Sequence, residues 1–89
     1  MSQELRCFKR NNDVFFKEIE GELYLVDPYR RKLIQINPAG LEIWRLLDGG
    51  HSLPTVIAVI EEKFDCNPID AKRDVVSFVS ELEKRELVF

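Results

Sequence analysis

The sequence predicts an α+β fold in which a three-stranded antiparallel sheet is followed by three helices. Three observations carry this. The chain has 89 residues, enough for one domain with a single core. Residues 14–36 hold three short runs of β-branched and aromatic residues divided by turn formers, the pattern of a meander. From Asn37 onward the apolar spacing lengthens to three and four residues, in three stretches that each open on a proline.

The elements follow in order. Residues 1–13 are polar and mixed in charge up to Arg10-Asn11-Asn12-Asp13 and are read as a flexible arm, leaving 14–89 as the domain. Val14 to Ile19 is a first strand, Glu20-Gly21-Glu22 a turn, and Leu23 to Val26 a second strand. Asp27-Pro28-Tyr29-Arg30-Arg31 is a turn with proline suited to its second position. Lys32 to Ile36 is a third strand, with Ile34 and Ile36 on one face and Leu33 and Gln35 on the other. Asn37-Pro38 then supplies an N-cap and a first helical residue. Leu41, Ile43, Trp44 and Leu47 form the apolar side of that helix, and Asp48-Gly49-Gly50 stops it in a polar loop that holds His51. Pro54 opens a second helix with Val56, Ile57, Val59, Ile60 and Phe64 as its apolar positions. Asn67-Pro68 opens a third that runs to about Glu86, with Ala71, Val75, Phe78, Val79 and Leu82 as its core stripe. The tail Leu87-Val88-Phe89 is expected to tuck against the core or pair briefly as a strand. The two helices after the Gly-Gly turn, with a hairpin beside them, give the arrangement a winged helix-turn-helix character.

Composition excludes several classes. Hydrophobic residues at 45% and charged residues at 33% are a globular balance. The longest apolar stretch is about six residues, against about 20 for a bilayer span, so no membrane association is expected. No basic-then-apolar export signal opens the sequence. Cys7 and Cys66 stand far apart, with no CxxC and no zinc framework, and two thiols without a signal fit a reducing cytoplasm. His51 is the only histidine and has no metal-ligand or nucleophile spacing around it. Glycine-rich phosphate loops and hydrolase motifs are absent. These absences favour a binding module without a cofactor over an enzyme. Thirteen Lys and Arg against sixteen Asp and Glu give a net charge of −3, a poor field for nucleic acid.

Two surfaces are candidate binding sites. A three-stranded meander has exposed edges, and the third strand is one of them. Such an edge templates strand addition, in which backbone hydrogen bonds give affinity and alternate side chains give selectivity. Arg30, Arg31 and Lys32 precede it, either as solubilising turn charges or as an attraction for an acidic peptide. On the third helix, Val76 lies off the core stripe with Lys72 and Ile69 on the same side. That flank is either a widened core face or one wall of a groove whose other wall is the edge strand.

The segments Leu25-Val26-Asp27-Pro28, Ile36-Asn37-Pro38-Ala39-Gly40 and Ile43-Trp44-Arg45-Leu46-Leu47-Asp48-Gly49, with Glu61-Glu62-Lys63-Phe64, Pro68 and Asp74-Val75…Phe78-Val79…Leu82 after them, resemble the PqqD family (pyrroloquinoline quinone synthesis protein D). The resemblance covers about residues 14–88. The sequence departs from it at Ile36, where leucine is usual, and at Glu86, where glycine is common. The resemblance implies a winged helix-turn-helix-like fold, no catalysis and no cofactor. It implies a RiPP recognition element, a domain that binds the leader of a ribosomally made precursor peptide as a strand added to the third strand and lying against the third helix. The peptide is then presented to a modifying enzyme, in the founding pathway a radical SAM enzyme. On that reading Arg31, Lys32, Leu33, Ile34, Gln35 and Ile36 form the edge, Ile69 and Val76 take an apolar anchor, and Lys72 and Arg73 pair with leader carboxylates. The alternative is a small winged helix-turn-helix regulator that binds nucleic acid. An exposed edge beside an N-terminal arm leaves a monomer and a strand-exchanged dimer both open.

Overall fold

The computed structural model describes residues 6–89; Met1 to Leu5, the start of the expected arm, lie outside the described residues. The fold is α+β, with the three strands and three helices that the sequence predicts and a further small sheet.

The main sheet is the meander β2 (Phe15–Ile19), β3 (Glu22–Asp27) and β4 (Lys32–Ile36), antiparallel throughout in the order β2-β3-β4. Ile19 pairs with Glu22 across a two-residue turn. Glu20 and Gly21 both have positive φ, 51° and 80°, the backbone of a type I′ hairpin whose twist suits the flanking strands. Leu23 and Leu25 of β3 are fully buried on the inner face, opposite Ile36 and Ile34 of β4.

The helices start as their sequences dictate. Asn37 caps α1 (Pro38–Leu46) by accepting a hydrogen bond from the Gly40 amide at 2.8 Å, and Asn67 caps α3 (Pro68–Lys84) by accepting from Asp70 at 2.9 Å. Each has proline in its first turn, where a missing N–H costs nothing. Between them lies α2 (Leu53–Lys63). Trp44 of α1, Val56 of α2 and Val75, Val79 and Leu82 of α3 meet Leu23, Leu25 and Leu47 in one core.

Three expectations need correction. The arm expected through Asp13 is part of the fold from Cys7 onward. Cys7–Lys9 is strand β1, Phe8 is buried, and Lys9 exchanges backbone hydrogen bonds with Phe89 in both directions, at 2.8 and 2.9 Å. The Gly-Gly segment expected as a loop is strand β5 (Asp48–Ser52), paired antiparallel with β1. The third helix ends at Lys84, not Glu86. Glu86 there has φ 60°, its amide bonds to Glu83 O, and the Leu87 amide bonds to Leu82 O at 2.9 Å. That is a Schellman closure, which favours glycine at the left-handed position. Leu87 and Val88 then turn into the core, and Val88 bridges Arg10.

Candidate functional site

The site is built from β4, the turn that enters it and the helix beside it. Asp27 ends β3 fully buried. Its Oδ1 accepts hydrogen bonds from the Tyr29 and Arg30 amides, and its Oδ2 accepts one from Arg30 Nη1 at 3.1 Å. Burial pushes this carboxyl upward, but the two amides and the guanidinium outweigh it and hold it below the ordinary aspartate range. Arg30 also donates to the carbonyl of Arg85, so the turn is tied to the end of α3. Arg30 is thereby engaged, whereas Arg31 and Lys32 at the start of β4 have no ion pair among the described residues.

In the order β2-β3-β4 the outer edge of β4 is unpaired among the described residues. The outer edge of β2 is likewise unpaired among the described residues, but its side chains are engaged below the sheet: Glu18 forms an ion pair with Arg45, and Phe16 packs edge-to-face on Trp44 with centroids 5.5 Å apart. On β4, Ile34 and Ile36 face inward and Leu33 and Gln35 outward, as the alternation predicts. Leu33 is 69% exposed.

Ile36 meets α1 and α3 at Gly40. A side chain at Gly40 would collide with Ile36, and its Cβ would stand 3.3 Å from the Phe78 ring. Phe78 therefore comes off the flank of α3 that faces β4. With each residue advancing about 100°, Phe78 lies about 60° to one side of Val75, and Asp74 and Glu81 lie farther round on that side. Val76 lies about 100° to the other side, with Ile69 and Lys72.

That second flank carries an open trough of about 460 Å³ lined by Ile69, Lys72, Arg73, Val76 and Ser77. Ile69 is 78% exposed. Lys72 and Val76 also border a neighbouring depression with Leu53, Pro54 and Ile57 of α2. Thus the four α3 residues singled out in the sequence come together, and so do the β4 residues, but the two groups occupy opposite flanks of α3. Arg73 is shared between Asp70 and Asp74. Phe78, the α3 residue that reaches Gly40 beside Ile36, was not anticipated as a site residue. The available signal was Gly40, a small residue where α1 must leave room for an aromatic ring.

The His51 ring nitrogen lies 2.9 Å from Asp48, both on β5. Hydrogen bonding from the Gly50 amide, then from His51, keeps Asp48 below the ordinary aspartate range. Among the described residues no three His, Cys, Asp or Glu side chains gather as metal ligands, and no helix is long and apolar enough to cross a membrane.

The family model described as coenzyme PQQ synthesis protein D (PqqD) matches residues 22–88, from the first residue of β3 to the C-terminal bridge. The chain belongs to the PqqD family. Three solved structures share the PqqD-like fold. TbiB1 in complex with the TbiA(beta) leader peptide is 22% identical, with a TM-score of 0.79 over 90% of this chain and 93% of its own. Lasso peptide synthetase B1 complexed with the leader peptide is 20% identical, with a TM-score of 0.80 over 93% and 98%. The PqqD truncation of Methylobacterium extorquens PqqCD, described as a stand-alone RiPP recognition element, is 13% identical, with a TM-score of 0.72 over 92% and 87%. No curated protein matches the chain significantly.

Proposed function

We propose that this PqqD-family chain is a non-catalytic adaptor of the cytoplasm. It binds the leader segment of a ribosomally synthesised precursor peptide by strand addition at β4. It then presents the peptide to a modifying enzyme, of the radical SAM class, as in pyrroloquinoline quinone biosynthesis. The observation that carries the reading is the edge of β4, unpaired among the described residues, beside α3 and entered past Arg31 and Lys32, which have no ion pair among those residues. Strand addition there would satisfy backbone donors and acceptors that otherwise face water. Two structural neighbours are themselves complexes with leader peptides, which supports the same use of the shared fold. No cofactor is required.

In this reading Arg31 and Lys32 attract leader carboxylates, and Leu33, Ile34, Gln35 and Ile36 set the strand. Ile69, Lys72, Arg73 and Val76 form a second contact. To reach it, a peptide leaving β4 beside Phe78 crosses one helix, about 10 Å, or roughly three extended residues. The nucleic-acid alternative is disfavoured by the cations themselves: Arg6, Arg45, Lys63, Arg73 and Arg85 all stand in ion pairs with carboxylates.

The test begins with the genes beside this one, where a short precursor peptide and a radical SAM enzyme are expected. Calorimetric titration with the leader of that precursor should give saturable 1:1 binding. A leader that fails to bind, or a protein that instead binds duplex DNA with a steep salt dependence, overturns the proposal.

A further inference from the structure

The outer face of the meander carries a row of apolar side chains that the core does not use. Phe15 of β2 pairs with Val26 of β3, and Val26 pairs with Leu33 of β4. All three are exposed, at 72%, 39% and 69%. They cross the sheet in register, from the outer edge of β2 to the outer edge of β4. The next outward row, Lys17, Tyr24 and Gln35, is polar. Glu22 accepts hydrogen bonds there from Gln35 Nε2 at 2.7 Å and from the Tyr24 hydroxyl at 3.3 Å.

An outward face is normally the polar face of a half-buried sheet. Side chains directly opposite one another on neighbouring strands are the pairs that stabilise a sheet. A row of three apolar residues that runs to an unpaired edge can take a further member there, and of the two edges β4 is the one beside α3. Resting on the strand-addition reading, we propose that the bound peptide supplies the fourth member. It carries a large apolar side chain, aromatic or β-branched, in register with Leu33. Its next outward residue, opposite Gln35, is polar. Leu33 is thus a specificity-determining residue that fixes the register of the added strand. A one-residue slip would turn every peptide side chain to the other face, and a two-residue slip would set the apolar residue against Gln35.

The test is selection of a random peptide library displayed on phage, its members long enough to pair with all of β4, against the full chain and its Leu33→Glu and Leu33→Thr variants. Leu33 is exposed, so both variants should fold, which circular dichroism verifies. Peptides selected on the unaltered chain should share an apolar position followed two residues away, on the same face, by a polar one. Leu33→Glu should replace that apolar position with Lys or Arg and leave the others unchanged. Leu33→Thr should weaken the original peptides by up to about fivefold, the upper end for one cross-strand pair. Peptides that perturb the β4 amides by NMR yet show no preference opposite Leu33, or one that Leu33→Glu does not alter, overturn the register proposal alone. Selected peptides that leave the β4 amides unperturbed overturn it together with strand addition.

Discussion

Three residues stand where local geometry conflicts with, or depends on, a particular side chain. Glu86 is held at φ 60° to close α3, a conformation that costs a non-glycine residue about 1–2 kcal/mol. Glu86→Gly should stabilise the fold by about 0.5–1 kcal/mol after the added freedom of the unfolded chain is counted, read as a higher urea midpoint with an unchanged slope. Gly40 lies against Ile36 and Phe78. Gly40→Ala should cost about 1–3 kcal/mol by overpacking, and it should shift the NMR signals of Ile36 more than those of Lys32 at the far end of β4. Asp27 holds the turn into β4 through its carboxylate, with its folded-state value lowered. A lowered carboxyl contributes stability that is present above its unfolded value, about 3.9 for aspartate, and is lost as pH falls through the folded value. Asp27→Asn should therefore melt below the unaltered chain at neutral pH, and the gap should narrow as pH drops below about 4. A constant gap would show that the charge contributes nothing.

At the scale of elements, β1 makes the least expected contribution. Phe8 is buried, and Lys9 is bonded to Phe89. Phe8→Ala should cost about 3–5 kcal/mol, and removing residues 1–9 should lower the denaturation midpoint rather than leave it unchanged, as loss of a dispensable arm would. The sequence hid this element for a physical reason. Three residues are too few to show a two-residue period, and their partner, Asp48–Ser52, is rich in glycine and some forty residues away. Backbone pairing of that kind leaves no side-chain signature. By contrast, the meander and the starts of all three helices were legible, because alternation, Asn caps and prolines are local signals. The candidate site was legible in part. β4 followed from its pattern, and the helical wheel grouped Ile69, Lys72 and Val76 correctly. A wheel orders residues about a core stripe, but it does not tell which neighbour lies on which side. The opposite placement of β4 and the Val76 flank, and the role of Phe78 between β4 and α1, needed the tertiary contact at Gly40.

At the scale of the molecule, a chain with net charge −3 places most of its arginines in ion pairs, while Arg31 and Lys32, at the entrance to the edge strand β4, have none among the described residues. That distribution, more than the total charge, suits recognition of a short peptide. The central claim is that this strand is completed by the peptide. Backbone amide NMR, recorded while the leader of the neighbouring precursor peptide is titrated into isotope-labelled protein, tests it most directly. The account predicts the largest shifts at Lys32 to Ile36, with slowed amide exchange there, accompanied by shifts along α3. Shifts confined to α2, or binding that leaves the β4 amides unmoved, would contradict it.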